Sequence, residues 1–287
     1  FTNVGGGWVV VGRGMSPVGK LSDAVSVISE RDFQLRVGGK PLPSELQPIA
    51  DRLQETLDQL HKAFSREKQA AADISHELRT PLAALLTNLE VALRKNRSPE
   101  QYRELLEECK ASGQQMYQLV ERLLALARLD AGAVRLRPQT VDVARLAEQC
   151  VTLVKPLAEE KRLSLRLHAP APVALDADPD KVREVLTNLL HNAIEYNKPD
   201  GSIDLTVQRH NGHVEVAVRD TGIGINAEAR QHIFERFYRS DPSRAADTPH
   251  AGLGLAIVKS YVDLMGGAID VESSAAGSTF TVKLPAA

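Results

Sequence analysis

The sequence predicts a multidomain protein whose N-terminal half is all α-helical and whose C-terminal half has an α+β fold. In the first half, leucines and other apolar residues recur at steps of three and four, the period of amphipathic helices. From about Pro138 onwards, helical patterns alternate with short strand-like runs. Aromatic residues make up only 4% of the chain, which suits long Leu/Ala-rich helices. We therefore expect a dimeric helical linker and a four-helix-bundle hairpin, followed by an α+β two-layer sandwich.

Composition narrows the class of protein. The 287 residues are enough for two or three domains, and the 43% apolar content is enough for a hydrophobic core. There are 35 Lys and Arg against 37 Asp and Glu, so no basic excess points to a nucleic-acid partner. The two cysteines, Cys109 and Cys150, lack the spacing of a metal site and fit buried thiols in a reducing compartment.

Residues 1–11 are mostly apolar and Gly-rich, but a bilayer span needs about twenty residues. We interpret them as the cytoplasmic end of a truncated transmembrane helix, with Trp8 at the interface and Arg13 on the inner side. The alternative is an unstructured or tag-like N-terminal stub. The first interpretation predicts a membrane-anchored protein, of which this chain is the cytoplasmic portion.

Residues 12–64 contain two short apolar stripes joined by a polar, turn-rich connector. Met15-Ser16-Pro17 precedes the first stripe, and Glu45 precedes the second. The segment resembles a HAMP linker, the dimeric four-helix relay that follows the last transmembrane helix of bacterial receptors. An ordinary helical-hairpin linker is the alternative.

Residues 65–132 read as a helical hairpin. The second stripe continues without Gly or Pro into a long helix, which we expect to end near Asn96. Ser98 is placed to cap the next helix, Pro99 is its first residue, and Gly132 ends it. Two long helices with one-sided apolar stripes cannot bury those stripes alone, whereas a pair of hairpins can do so as a four-helix bundle. The pattern therefore predicts a homodimer.

His76 is the most informative residue of the hairpin. Glu77 is its direct neighbour, and Thr80 lies one helical turn away on the same face. Pro81 cannot donate to the carbonyl of Glu77, so we expect the helix to bend just past the histidine. An exposed histidine beside a carboxylate and a hydroxyl indicates a reaction centre, although an isolated histidine is more often an ordinary surface residue.

The C-terminal region, residues 138–287, is expected to fold as one sheet covered by helices. The predicted helices are 143–160, 180–197 and 252–265. The predicted strands are Leu163–Leu167, Ile203–Gln208, Val214–Arg219, Ala268–Glu272 and Thr279–Leu284.

Two segments of this region carry polar groups suited to a ligand. Asn188 and Asn192 lie four residues apart on a predicted helix, and amide oxygens are hard ligands suited to Mg²⁺. Asp220 ends a strand, followed by Gly222 and Gly224, which allow the backbone to pass close to a ligand. Asparagines on a helix surface and a Gly-rich turn are the alternatives.

A third segment, Gly252-Leu253-Gly254, opens an amphipathic helix and so presents free backbone N–H groups to phosphates. The stretch Ser240–His250 precedes it, and a long loop over a ligand site is usually a lid. Phe234 and Phe237 are placed to anchor that lid.

The order of these motifs resembles a bacterial sensor histidine kinase of two-component signalling, strongly over residues 65–287 and moderately over 12–64. The resemblance implies an ATP-binding fold like that of gyrase and the heat-shock chaperones, and ATP and Mg²⁺ as cofactors. By the same pattern, His76 is the phosphoacceptor and Glu77 its acid/base partner, and Thr80 suggests a reverse phosphatase activity. Asn188 and Asn192 match the asparagine box, with Asn192 the Mg²⁺ ligand.

The resemblance further implies that Asp220 contacts adenine, and that Gly222, Gly224, Gly252, Leu253 and Gly254 flank the lid. The expected partners are a second copy of the chain and an aspartate on a response regulator, at the cytoplasmic side of a bacterial inner membrane. Glu195 stands where family members often have Lys or Arg, and Lys198 is the suggested substitute. A nucleotide-switched ATPase and a catalytically silent dimeric scaffold remain as alternatives.

Overall fold

The computed structural model describes residues 46–239 and 251–286, together with Gly19, Ser26, Pro43 and Ser44. The expected membrane stub, the first HAMP-like helix and most of the connector lie outside these residues. No helix in the described ranges has a stretch that is both long and apolar enough to span a bilayer.

The first long helix, α1, runs over Gln47–Leu93, so the predicted continuity from the second linker stripe into the His76 segment is confirmed. It ends three residues before the expected Asn96. The helix continues through Pro81 without interruption. The predicted bend at this proline stays a prediction.

The return helix, α2, runs over Pro99–Asp130 and begins as predicted. The Ser98 hydroxyl accepts a hydrogen bond from the Gln101 backbone N–H at 3.3 Å, and the Gln101 side chain accepts one from the Ser98 N–H at 3.4 Å. This reciprocal capping box satisfies two backbone donors that a helix start otherwise leaves unpaired. Just beyond the helix, Gly132 adopts a φ of +60°, as expected of a terminating glycine.

Many apolar side chains of this hairpin face solvent within the single chain. On α1 these are Leu82, Leu86, Leu89 and Leu93, and on α2 they are Leu106, Tyr117, Val120 and Leu124. Leu119 and Leu126, by contrast, are buried in the same core as the C-terminal region. One face of α2 therefore packs on the α+β region, while other apolar positions of the hairpin are not covered by any part of the chain that the structure describes.

The helices and strands of the C-terminal region agree closely with the sequence patterns. The helices are α3 (Val143–Glu160), α4 (Pro179–Glu195) and α5 (Gly254–Leu264). The strands of the main sheet are β2 (Ser164–His168), β4 (Ser202–His210), β5 (His213–Asp220), β6 (Ala268–Ser274) and β7 (Gly277–Pro285). The first helical turn that the sequence suggested at residue 252 starts at Gly254 instead.

The five strands form a mixed sheet in the order β2-β4-β5-β7-β6, with β2 and β4 parallel and all other pairs antiparallel. A second sheet was not predicted: β1 (Gln139–Asp142) pairs antiparallel with β3 (Ala174–Ala177). Each of these strands has only four residues, and in neither of them do apolar and polar residue types alternate. The expected single sheet is therefore corrected to one large sheet and one small one.

The core lies between the main sheet and its helices. The strands contribute alternating residues such as Ile203, Leu205 and Val207, all 0% exposed. Helix α4 contributes Leu190, which is also fully buried. Cys150 is buried too, and burial raises the pKa of its thiol to about 11, so it behaves as a core residue rather than a nucleophile.

Candidate functional site

His76 is exposed on α1, as the sequence predicted. Its neighbour Glu77 is half-buried, and Thr80 is exposed one turn further on. The Thr80 hydroxyl donates a hydrogen bond to the His76 carbonyl oxygen at 3.4 Å. The imidazole is thus accessible, with a carboxylate beside it in sequence and a hydroxyl within one turn of the helix.

The second group of expected site residues comes together in a cleft of the α+β region. The cleft has two adjoining cavities that open to solvent, with empty space of about 600 Å³ and about 460 Å³ when the open part is included. Both cavities are lined by Asn192, Tyr196, Ile233, Tyr238 and Leu255. These shared walls make the two cavities parts of one elongated site.

Asp220 lies in the first cavity, where β5 ends. Its Oδ1 accepts hydrogen bonds from the backbone N–H of Gly222 at 2.8 Å and of Ser278 at 3.2 Å. Burial raises the pKa of this carboxyl, although the two N–H donors and the charge of Lys198 oppose the rise. The carboxylate is therefore held in a fixed orientation at the wall of a largely apolar cavity.

The two glycines after Asp220 are required by close backbone approaches. A Cβ at Gly222 would lie 2.2 Å from the carbonyl oxygen of Tyr196. Gly224 has a φ of +72°, and a Cβ there would lie 1.8 Å from the carbonyl oxygen of Ser274. A side chain at Gly222 would displace the backbone of Tyr196, a residue that lines both cavities, and one at Gly224 would displace the backbone at Ser274.

The second cavity is lined by Asn188, Gly252 and Gly254. These residues belong to two separate ligand-binding segments predicted from the sequence, and the structure brings both segments together. Leu253 lies between the two glycines and is fully buried, so it fixes the start of α5 against the core. The Asn188 Nδ2 donates to the Glu184 carbonyl oxygen at 2.8 Å. A Cβ at Gly254 would lie 3.0 Å from the Asn188 Oδ1. The amide oxygen of Asn188 thus faces the beginning of α5.

Asn192 lines both cavities and so stands at their junction. Among the described residues there is no cluster of three or more His, Cys, Asp or Glu that could hold a metal. Magnesium does not need one, because it retains most of its water and takes few protein oxygens alongside phosphate oxygens. The asparagine oxygens therefore suit Mg²⁺ bound together with a phosphate-containing ligand.

The expected anchors of the lid pack against the core. Phe234 and Phe237 are both partly buried against it. The Phe237 backbone N–H donates to the Gly252 carbonyl oxygen at 3.1 Å, which joins the two segments that flank the lid. The lid itself, Ser240–His250, lies outside the described residues.

Sequence reasoning missed several residues that line the cleft. Tyr196, Tyr238 and Arg239 line its walls, and Arg122 reaches the second cavity from the hairpin helix α2. The suggested substitute cation, Lys198, instead donates to the Ala275 carbonyl oxygen at 3.0 Å. No sequence signal marks Arg122, because its place in the cleft depends on how α2 packs against α5.

Comparison with known families gives two matches, one over the hairpin and one over the α+β region. Residues 66–132 match the model of the His Kinase A (phospho-acceptor) domain. Residues 177–287 match the model of the histidine kinase-, DNA gyrase B- and HSP90-like ATPase. The first match contains His76, and the second contains the whole cleft apart from Arg122.

Several curated proteins are similar over nearly the whole chain. Sensor histidine kinase CusS of Escherichia coli (strain K12) is 31% identical over 278 residues, 97% of this chain and 58% of that protein. Sensor protein kinase PmrB of Pseudomonas aeruginosa is 32% identical over 277 residues, 96% of this chain and 57% of that protein. Probable sensor histidine kinase TcrY of Mycobacterium tuberculosis is 33% identical over 297 residues, 97% of this chain and 62% of that protein. The chain thus spans less than two-thirds of the length of these relatives.

Solved structures agree with the fold. Full-length ShkA in complex with AMPPNP is 31% identical with a TM-score of 0.59, over 77% of this chain and 46% of that one. The Acinetobacter baumannii histidine kinase AdeS is 23% identical with a TM-score of 0.59, over 74% of this chain and 98% of that one, a likeness of fold alone. With its matches to the phospho-acceptor and ATPase domain models and with these relatives, the chain belongs to the bacterial two-component sensor histidine kinases.

Proposed function

We propose that the chain binds ATP with Mg²⁺ in the cleft of the α+β region and transfers the γ-phosphoryl group to His76. One observation carries the proposal: a buried carboxylate, two asparagines and a glycine-flanked helix start converge in a single cleft, in a chain that also exposes His76 beside Glu77. The bound AMPPNP of the similar ShkA supports an adenine nucleotide as the ligand.

The two cavities suit the two ends of ATP. The Asp220 carboxylate would accept a hydrogen bond from the exocyclic amine of adenine. It lies in a cavity that Ile223 and Phe280 also line, and these apolar side chains suit the faces of the base. Gly252 and Gly254 adjoin the start of α5, where backbone N–H groups and the positive end of the helix favour phosphates. We therefore assign adenine to the first cavity and the phosphates to the second.

Asn192, with Asn188 nearby, would hold the Mg²⁺ ion through its amide oxygen. When bound, the ion neutralises charge on the phosphate oxygens. The remaining contribution of the protein to phosphoryl transfer is positioning, because the transferred group needs little covalent assistance.

His76 acts as the nucleophile. Glu77 would accept a hydrogen bond from Nδ1–H and so leave the lone pair on Nε2 for attack. As the Nε2–phosphorus bond forms, the bond between the γ-phosphorus and the bridging oxygen breaks, and ADP leaves. The exposure of His76 gives the ATP-binding region access to it.

The phosphoryl group then passes to an aspartate of a response-regulator protein. We further propose that Thr80 supports the reverse activity, because its hydroxyl lies one turn from His76 and is exposed. It would orient a water molecule against the acyl phosphate of the regulator. Thr80→Ala should leave autophosphorylation intact and slow dephosphorylation of the regulator, whereas Thr80→Ser should retain the activity. An unchanged dephosphorylation rate in Thr80→Ala would reject this role.

The protein should act as a homodimer, since the apolar side chains left exposed on α1 and α2 require a cover. Two hairpins packed along these positions would form the expected four-helix bundle. We assign the chain to the cytoplasmic portion of a bacterial inner-membrane receptor, with the HAMP-like segment between membrane and hairpin. Light scattering on the purified chain tests the dimer, and a monomer at micromolar concentration would contradict it.

The reaction is tested by incubation with γ-labelled ATP and Mg²⁺, followed by acid and base treatment of the protein. A phosphohistidine is labile in acid and stable in base, so kinase activity predicts label with that behaviour. ATP hydrolysis without covalent label would favour the nucleotide-switched ATPase instead. Failure to bind ATP at all would favour the silent scaffold.

A further inference from the structure

Helix α2 turns one arginine towards the nucleotide cleft. Leu119 is 7% exposed and Leu126 is 3% exposed, and both belong to the core shared with the α+β region. Arg122 lies three residues after the first leucine and four before the second, so all three share one helical face. The packing of the two leucines therefore directs the Arg122 side chain towards the α+β region.

A second contact fixes the end of the same helix. Asp130 accepts hydrogen bonds from both terminal nitrogens of Arg236, one of them at 2.7 Å. Arg236 lies between Phe234 and Phe237, in the segment that leads to the lid. The position of α2 beside the cleft is thus held by apolar packing and by a bidentate ion pair.

Arg122 lines the cavity that also contains Asn188, Gly252 and Gly254, the half assigned to phosphates. Burial lowers the pKa of its guanidinium, while the carboxylates of Glu195 and Glu184 oppose this shift. Arginine stays protonated in proteins even when its pKa is lowered. A full positive charge is therefore present in the cavity, partly balanced by two acidic side chains.

Other cations near the cleft are directed elsewhere. Lys181 donates to Glu184 at 3.2 Å and to the Tyr261 hydroxyl at 3.0 Å. Lys198 donates to a backbone carbonyl, and Arg239 lines the adenine half. His191 also lines the phosphate half, but burial and the nearby charge of Arg122 lower its pKa, which favours the neutral imidazole. Within the described lining, Arg122 is therefore the residue that carries a permanent positive charge.

We propose that Arg122 binds the phosphate groups of ATP, so that a side chain of the hairpin completes the nucleotide site of the α+β region. The inference rests on the proposed function, because it takes ATP as the ligand of the cleft. A guanidinium presents parallel N–H donors that match two phosphate oxygens. The phosphates would compete with Glu195 and Glu184 for this group, and the bound nucleotide would hold α2 and the ATP-binding region together.

The test compares ATP, ADP and adenosine binding to the full chain carrying Arg122→Gln. We expect ATP and ADP to bind about tenfold more weakly, about 1.4 kcal/mol, with adenosine affinity unchanged. Arg122→Lys keeps the positive charge but lacks the planar guanidinium. Its affinity for ATP and ADP should therefore lie between that of the wild type and that of Arg122→Gln. The matched control is Arg103→Gln on the same helix, an exposed arginine that pairs with Glu107 at 3.1 Å.

The ratio of ATP affinity to adenosine affinity within one variant decides the outcome, because a folding defect lowers both together. A ratio equal to that of the wild type, or an Arg122→Gln protein that binds ATP more tightly, would overturn the proposal. The tighter binding would mean that the arginine obstructs the site. A wild-type chain that binds none of the three ligands would instead refute the nucleotide site itself.

Discussion

In the hairpin, many large apolar side chains lie on the surface, whereas in the ATP-binding region most of them form a closed core. Leu106 is 60% exposed and Leu86 is 51% exposed, while Leu190 and Ile203 are each 0% exposed. Both regions show strong apolar patterns in the sequence. The pattern alone therefore does not say whether the apolar side chains are covered by the same chain or by a second copy. The difference teaches that the core of the ATP-binding region is closed within one chain, and it supports the proposal that a second copy covers the hairpin.

The largest expected effect comes from one substitution made in both regions. Leu190→Ala removes a fully buried side chain and should lower the free energy of unfolding of the ATP-binding region by about 2–5 kcal/mol. Leu106→Ala should leave the free energy of unfolding of the ATP-binding region nearly unchanged. It should instead make the dimer dissociate more readily. Denaturant unfolding followed by circular dichroism, together with sedimentation at several concentrations, separates the two effects. Equal losses of stability in both variants would break the comparison.

The next effect separates the roles within the cleft. Asp220→Ala removes the proposed adenine contact and leaves an amine unpaired, at about 1–3 kcal/mol, which weakens ATP binding by about one to two decades. Asn192→Ala should weaken binding less and lower the rate of His76 labelling more, since it removes the proposed Mg²⁺ ligand. Nucleotide titration and labelling rates check both.

The exposed Asp263, which bonds to Lys259 at 2.7 Å, provides the control for these two variants. Asp263→Ala should bind ATP as the wild type does. If Asp220→Ala and Asn192→Ala lose affinity and rate in equal proportion, the roles assigned to the two residues are wrong.

The smallest effect concerns the junction between the two regions. The hydrogen bonds from Arg236 lower the pKa of Asp130, although partial burial opposes the shift. A lowered carboxyl pKa stabilises the folded protein above the ordinary carboxyl pKa, and this stabilisation is lost as the pH falls through the lowered value. Both side chains are about half exposed, so the contribution is at most about 1 kcal/mol.

Asp130→Asn should therefore remove a small part of the stability at neutral pH and none at strongly acidic pH. High salt should reduce the difference, because exposed charges are screened. Unfolding of wild type and variant across pH, at low and high salt, measures this. A difference that persists unchanged at acidic pH would show that Asp130 acts through something other than its charge.

Much of the fold could be predicted because its signals are local. The Ser98–Pro99 helix start follows from a cap and a proline within a few residues. Helix α3 matched residues 143–160 because its apolar face repeats over five turns. The β1–β3 pair was missed because strands of four residues carry no readable period, and their pairing joins segments more than thirty residues apart.

The residues of the candidate site also fall into two groups, those that local motifs predict and one whose position depends on packing between distant segments. The predicted site residues stand in short motifs, and the structure brings most of them to one cleft, namely Asn188, Asn192, Asp220, Gly224, Gly252 and Gly254. Gly222 does not line the cleft, but its backbone N–H donates to Asp220. Arg122 belongs to another region and reaches the cleft only through packing of Leu119 and Leu126. A contact that depends on docking leaves no local pattern, so no inspection of residues near position 122 could have found it.

The central claim, that the ATP-binding region phosphorylates the hairpin at His76, is tested most directly by labelling the His76→Gln protein with γ-labelled ATP. His61→Gln is the matched control, since His61 is another exposed histidine of the same helix α1. The account predicts that His76→Gln takes up no acid-labile label while it still binds ATP and dimerises, and that His61→Gln is labelled like the wild type. Acid-labile, base-stable label on the His76→Gln protein would contradict it.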